Sequence, residues 1–156
     1  MQGRLKDYTA YVELIKPLID YAGIVRGMGL EQSLLELVKI RASQINGCAN
    51  CLHMHTSDAR AAGESEERIY LLDAWRESSM YTARERAALA WTEALTRVYE
   101  THAPDADYDG LKPHFSPAEI VHLTVLIGAI NPWNRIAIGF RAQHPNDKRL
   151  AVREAA

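Results

Sequence analysis

Residues 30–55 read LEQSLLELVKIRASQINGCANCLHMH, and this segment carries the strongest helix signals of the chain. Its apolar residues recur at the three- and four-residue spacing of one helix face: Leu30, Leu34, Leu37, Val38 and Ile45. Asn46-Gly47 is a typical helix end. A second helix is predicted from about Cys48 to Ala62, because Gly63 is another natural stop. The stretch therefore predicts two consecutive helices that meet at Gly47.

The second of these helices begins with the only two cysteines of the chain, Cys48 and Cys51. Two thiols at this spacing can close a small disulfide ring and so carry two electrons. Thiols in a first helical turn also lie at the positive end of the helix dipole, which favours the reactive thiolate. His55 follows one turn later, and about 100° per residue puts all three side chains within roughly 60° of one face. The pattern predicts a redox-capable thiol pair with a proton carrier beside it.

Helical signals also dominate the rest of the chain. Thr82 with Glu85, and Ser116 with Glu119, have the spacing of a capping box, and each pair is predicted to begin a helix. No stretch alternates apolar and polar residues between Gly or Asn turns, as strands would require. We therefore predict an all-α fold, a bundle of about seven helices in a single domain spanning residues 1–156.

Two segments are predicted to break this helical pattern. Residues 101–115 contain two prolines and a glycine and are predicted to be a loop. Asn131-Pro132 is predicted to interrupt the last long helix and to cap a final helix that runs through Phe140.

Composition limits the classes of function. The chain has 156 residues, 47% of them hydrophobic and 24% charged, with a formal net charge of -2. Lys and Arg are spread along the chain without a basic run, so nucleic-acid binding is not expected. No apolar signal segment opens the sequence, and its longest mostly apolar stretch, residues 120–130, is far below the ~20 residues of a membrane span. We therefore expect a cytoplasmic protein, in which a close cysteine pair is more typical of catalysis, redox sensing or metal binding than of a structural disulfide.

Plainer interpretations of these residues stay open at this point. Two cysteines can pack as small apolar side chains without reacting. A structural zinc ion would need four ligands, and only His53 and His55 lie near the cysteines, with no second cysteine pair. Glu36 lies off the main apolar stripe of its helix, where a glutamate is more often a solvated charge.

The pattern of Glu36, then Cys48-x-x-Cys51, then His55 resembles the signature of the AhpD-like alkylhydroperoxidases, which belong to the carboxymuconolactone decarboxylase superfamily. Further stretches that resemble the peroxidase-related branch are residues 36–48, 85–96 and 131–135. The resemblance extends over roughly residues 10–142, nearly the whole chain.

This resemblance implies a thiol peroxidase that reduces alkyl hydroperoxides or hydrogen peroxide in antioxidant defence. Cys51 would attack the peroxide and Cys48 would then form the disulfide, while Glu36 and His55 would move the protons. No bound cofactor or metal is expected. A dithiol donor, which in AhpD is a lipoyl group on a partner protein, would reopen the disulfide as co-substrate. Family members form homotrimers or homohexamers, so a homo-oligomer is expected.

Two points qualify the assignment of roles within the pair. The order of the cysteines comes from the resemblance, because helix-dipole reasoning alone would favour Cys48 as the nucleophile. In the best-studied type of AhpD, a histidine precedes the second cysteine, and Asn50 stands there in this chain. Asparagine can donate and accept hydrogen bonds but cannot carry a proton at neutral pH.

Three other functions remain as alternatives. The same four residues would serve a thiol–disulfide oxidoreductase or a redox sensor with little peroxidase activity. A carboxymuconolactone-type decarboxylase is disfavoured, since such members lack the thiol pair. A non-catalytic assembly subunit would tolerate replacement of Cys48 and Cys51 with no effect beyond packing.

Overall fold

The computed structural model describes residues 3–5 and 8–143, and these residues form eight α-helices and no strand. The helices are α1 (Val12–Arg26), α2 (Gln32–Asn46), α3 (Ala49–Ala61), α4 (Glu66–Leu71), α5 (Ala83–Thr96), α6 (Val98–Thr101), α7 (Asp105–Asp109) and α8 (Pro117–Phe140). Short 3-10 turns at Tyr8–Tyr11 and Leu72–Ala74 precede α1 and follow α4. The predicted all-α class is confirmed. None of the helices in these two described ranges is both long and apolar enough to cross a membrane.

The two predicted capping boxes are present. The Thr82 hydroxyl accepts from the Glu85 N–H at 3.2 Å, and the Glu85 carboxylate accepts from the Thr82 N–H at 2.7 Å. Ser116 and Glu119 make the same reciprocal pair at the start of α8, with Pro117 in the first helical position. Hydrogen bonds from the Ser116 N–H and hydroxyl, and then from an arginine, lower the pKa of Glu119 to about 2. Local sequence therefore fixes where α5 and α8 begin.

Two predictions about helix breaks are wrong. Pro132 does not end a helix, because α8 continues through it from Pro117 to Phe140. The Asn131 side chain donates to the carbonyl of Ile127 at 2.9 Å. This hydrogen bond adds a donor to the helical turn in which Pro132 lacks a backbone N–H. The predicted loop of residues 101–115 contains the short helix α7. The eight α-helices of the described ranges agree with the predicted bundle of about seven.

Helix α2 forms the centre of the bundle and packs against α3, α5 and α8. Ten consecutive residues of α2, 34–43, are buried, so the helix is enclosed on all sides. Leu37, Val38 and Ile40 are fully buried, and each side chain of this size gains about 1.5–3 kcal/mol from leaving water. The enclosure also brings polar and charged side chains of α2 into the interior, where they need partners.

The join between α2 and α3 is a tight turn at Gly47. This residue has φ +69°, in the left-handed region. The Cys48 N–H donates to the Ser43 carbonyl at 2.9 Å, and the Gly47 N–H donates to the Gln44 carbonyl at 3.1 Å. Such bonds satisfy the free carbonyls at the end of α2 and hold the first cysteine against it.

We expect Gly47→Ala to lower the free energy of unfolding by about 1 kcal/mol, because a Cβ is strained at this positive φ. Urea denaturation of the oxidised protein measures the effect. Gly128→Ala is the matched control, since Gly128 lies within α8 and an added Cβ would meet no atom within 4 Å beyond its chain neighbours and the backbone of its own helical turns. That variant is expected to be as stable as the wild type or slightly more so, and an equal loss in both variants would contradict the explanation.

Candidate functional site

The two cysteines form a disulfide at the N-terminus of α3. Their Cα atoms are 5.4 Å apart, and both residues are buried. Cys48 is the N-cap of the helix, and its Sγ accepts from the Cys51 N–H at 3.3 Å. The sulfur atoms therefore lie among the unpaired N–H groups of a first helical turn, which stabilise negative charge on sulfur. The predicted thiol pair is present in its oxidised form.

Glu36 of α2 and His55 of α3 contact each other beside the disulfide. The distance from Glu36 Oε2 to His55 Nδ1 is 2.9 Å. The expectation that Glu36 alone would be a solvated charge is wrong, since it is 1% exposed within the enclosed helix α2. The antiparallel packing of α2 and α3 across the Gly47 turn brings the two side chains together although they are 19 positions apart.

Lys39 is a third polar residue of this cluster, and the sequence analysis did not identify it. Its Nζ lies 2.8 Å from Glu36 Oε1, and Gln32 donates to the same oxygen at 2.9 Å. Lys39 is 8% exposed, which is rare for lysine unless the ammonium group is paired. The sequence signal was its spacing, since residues three and four apart on a helix are neighbours.

The charge of Glu36 follows from these contacts. Burial alone would raise the pKa of Glu36, but hydrogen bonds from His55 and Lys39 outweigh burial, and the pKa lies below its usual value. An ionised carboxylate only accepts hydrogen bonds, so the proton of a neutral His55 ring belongs on Nδ1. In this tautomer His55 Nε2 carries the lone pair and is the nitrogen that can accept a proton, as the base does in a nucleophile–histidine–carboxylate triad.

A cavity of about 410 Å³ adjoins this cluster. Cys51, His55 and Lys39 line it together with Asn50. Most of the remaining wall is apolar and comes from α1 and α8: Ile19, Ala22, Val25, Leu126, Ile130 and Trp133. Arg26 of α1 adds a second cation to the wall beside Lys39. A small organic molecule fits a cavity of this size and lining.

Cys48 does not line this cavity. It lines a separate groove of about 450 Å³, formed by the turn at Gly47, the end of α8 and Arg4. Asn50 lines both spaces, at the position where the best-studied type of AhpD has a histidine. The two cysteines of the disulfide therefore line different spaces.

Glu36, His55 and Asp58 offer ligand atoms within 4.8 Å of one another, the one such group of three or more in the described residues. Both oxygens of Glu36 already accept hydrogen bonds from protein N–H groups, and the Lys39 ammonium at 2.8 Å would repel a cation. The cluster is therefore better suited to proton transfer than to metal binding.

The fold and the site together define a class of protein: an all-α protein with a Cys-x-x-Cys disulfide beside a buried glutamate–histidine pair. The chain belongs to the carboxymuconolactone decarboxylase family, whose model matches residues 13–94, and within it to the AhpD-like members.

Relatives extend over nearly the whole chain. The uncharacterized protein YdfG of Bacillus subtilis is 41% identical over 138 residues, which cover 88% of this chain and 94% of that protein. A crystal structure from Agrobacterium tumefaciens has a TM-score of 0.89 at 49% identity and covers 92% of this chain and 99% of that one. That protein is described as one of unknown function and as a candidate antioxidant defence protein AhpD. The debrominase Bmp8 has a TM-score of 0.79 at 18% identity, with 94% and 79% of the two chains covered, a likeness of fold alone.

Proposed function

We propose that this protein is a two-cysteine peroxidase that reduces organic hydroperoxides at Cys51 and is re-reduced by a dithiol. The observation that carries the proposal is the position of Cys51. Its side chain lines the apolar cavity beside His55, whose Nδ1 is held by the ionised Glu36. The apolar wall favours an alkyl hydroperoxide over hydrogen peroxide, because burying the alkyl group contributes binding energy.

In the first step, His55 Nε2 takes the proton of the reduced Cys51. The thiolate attacks the terminal oxygen of the hydroperoxide, and the O–O bond breaks. Cys51 becomes a sulfenic acid, and the alkoxide leaves as an alcohol with the proton that His55 returns. Glu36 stabilises the charged imidazolium between these two transfers, and Lys39 keeps Glu36 ionised.

In the second step, the Cys48 thiolate attacks the sulfur of the sulfenic acid, and hydroxide leaves as water with a proton. The product is the Cys48–Cys51 disulfide. A dithiol then attacks Cys48, releases the Cys51 thiolate and forms a mixed disulfide. Its second thiol displaces Cys48, so the sum is hydroperoxide plus dithiol giving alcohol, water and the oxidised dithiol.

Steady-state turnover with cumene hydroperoxide and dihydrolipoamide tests this proposal against a thiol–disulfide exchanger or redox sensor. We expect many turnovers per chain, with one equivalent of alcohol formed for each dithiol oxidised. An exchanger would accept electrons rapidly from dihydrolipoamide but would form no alcohol above the rate of the uncatalysed reaction. That second result would overturn the peroxidase proposal.

We also propose that the chain assembles into a homo-oligomer, a trimer or hexamer as the resemblance implies, through the exposed surface of α1. Apolar side chains on this helix are open to water in the single chain: Leu14 is 80% exposed, Ile24 67% and Ile19 43%. Because α1 also lines the cavity, a second copy seated there would close the cavity further.

We expect the double variant Leu14→Glu/Ile24→Glu to have a lower molar mass than the wild type in light scattering after size exclusion. Charge on an apolar contact is costly to bury, so the contact should open. Tyr99→Glu is the matched control, because Tyr99 is a 74%-exposed aromatic residue on α6. A double variant that keeps the wild-type mass would contradict the placement of the interface, and a monomeric wild type would contradict the assembly itself.

A further inference from the structure

The groove at Cys48 is less apolar than the cavity at Cys51, although two cations line each of them: Arg4 and Arg141 the groove, Lys39 and Arg26 the cavity. The lining of the groove combines Cys48 with two arginines, Arg4 and Arg141, both of which are exposed. No aspartate or glutamate lines the groove among residues 3–5 and 8–143. Nor does any carboxylate in these ranges form an ion pair with either guanidinium group. The groove is therefore a cationic space with one cysteine of the disulfide in its wall.

The fold holds both arginines at the end of α8. The Arg4 N–H donates to the Phe140 carbonyl at 3.0 Å, and its Nη1 donates to the Gly139 carbonyl at 3.2 Å. A guanidinium group has five N–H donors, so further donors of Arg4 remain for a ligand. Arg141 ends α8 in the left-handed conformation with φ 52°, a conformation that a non-glycine residue seldom adopts.

Access to Cys48 is narrow. The residue is 1% exposed, so a cysteine on the flat surface of another protein could not reach its sulfur without a rearrangement. A thiol on a slender chain can enter a groove of about 450 Å³. Guanidinium groups beside this entrance recognise carboxylates best.

Building on the proposed function, we propose that the groove at Cys48 is the binding site of the reductant, and that it selects a dithiol carrying a carboxylate. One thiolate of the reductant attacks Cys48 Sγ, the Cys48–Cys51 bond breaks, and Cys51 leaves as a thiolate. The second thiol of the reductant then attacks the reductant sulfur that is bonded to Cys48. This closes the disulfide of the oxidised reductant and releases Cys48 as a thiolate. Two electrons pass from the dithiol to the protein, while the hydroperoxide uses the separate cavity at Cys51.

Dihydrolipoate and dihydrolipoamide test this selection, because they share one dithiol and differ by a carboxylate in place of a carboxamide. The rate of reduction of the oxidised protein is measured for each without any peroxide. Each rate is divided by the rate at which the same dithiol reduces hydroxyethyl disulfide, a neutral small molecule, to correct for the intrinsic reactivity of the dithiol. At low salt we expect dihydrolipoate to react about fivefold faster than dihydrolipoamide, because its carboxylate is attracted by two solvated cations. The preference should decrease as salt screens the charges.

The double variant Arg4→Gln/Arg141→Gln is expected to lose this preference, so that its corrected rates with dihydrolipoate and dihydrolipoamide become equal. Arg60→Gln is the control for loss of a cation, because Arg60 pairs with Glu66 on the outer surface of α3. Equal corrected rates in the wild type, or a preference that survives in the double variant, would overturn the proposal. Since the assay contains no peroxide, a failure of the peroxidase proposal would appear only in alcohol formation and would leave this result unaffected.

Discussion

Replacing Cys51 by serine is expected to abolish hydroperoxide reduction, with a loss of at least about 10³-fold in rate. Cys51 is the cysteine that lines the cavity beside His55, whereas Cys48 opens to the other groove. The remaining Cys48 thiol therefore cannot take over the attack on the peroxide. Disappearance of cumene hydroperoxide in the presence of excess reduced protein measures the effect.

Cys48→Ser is the informative partner of this variant. It should still reduce one equivalent of hydroperoxide, because Cys51, His55 and Glu36 are intact. The sulfenic acid of Cys51 then has no thiol to condense with, so it should accumulate and react with dimedone, which mass spectrometry detects. If Cys48→Ser were inert and Cys51→Ser reactive, the roles of the two cysteines would be reversed.

Replacing Glu36 by glutamine should lower the rate of peroxide reduction by at least about 100-fold, the usual contribution of general acid–base catalysis. The carboxylate accepts from His55 on one oxygen and from Lys39 on the other. Glutamine of the same shape has a single acceptor oxygen, so it cannot satisfy both donors, and the tautomer of His55 is no longer fixed. The second-order rate constant with cumene hydroperoxide measures the loss.

Glu93→Gln is the matched control for this effect. Glu93 is also a largely buried carboxylate, and it accepts from Arg41 at 2.8 Å, Trp75 at 2.8 Å and Arg76 at 2.9 Å, but it does not line the cavity. Both variants are expected to lose stability, because each leaves buried donors without a full partner. Only Glu36→Gln should lose peroxidase rate, and equal rates in the two variants would remove Glu36 from the mechanism.

The features that short sequence segments determine could be predicted from the sequence. Gly47 ends α2 and the capping boxes begin α5 and α8, because each depends on residues within one turn. The grouping of Cys48, Cys51 and His55 is likewise a matter of spacing on one helix. Contact between Glu36 and His55 depends on how α2 packs against α3, and only the resemblance to AhpD-like proteins indicated it.

The features that were missed depend on packing between distant parts of the chain. Lysine residues are usually exposed, and Lys39 is buried because three other helices enclose α2. The groove at Cys48 brings together Arg4 and Arg141, which are 137 positions apart in the sequence. Helix α8 continues through Pro132 because the surrounding bundle outweighs the local cost of a proline, which no single-sequence rule could show.

A single-turnover experiment tests the central claim most directly. The fully reduced protein is mixed with one equivalent of cumene hydroperoxide, and free thiols and the alcohol product are followed together. The account predicts rapid loss of two thiols per chain, formation of one equivalent of alcohol and appearance of the Cys48–Cys51 disulfide. Thiols that stay reduced for many minutes, in a protein that still exchanges readily with dihydrolipoamide, would contradict it and identify a disulfide exchanger instead.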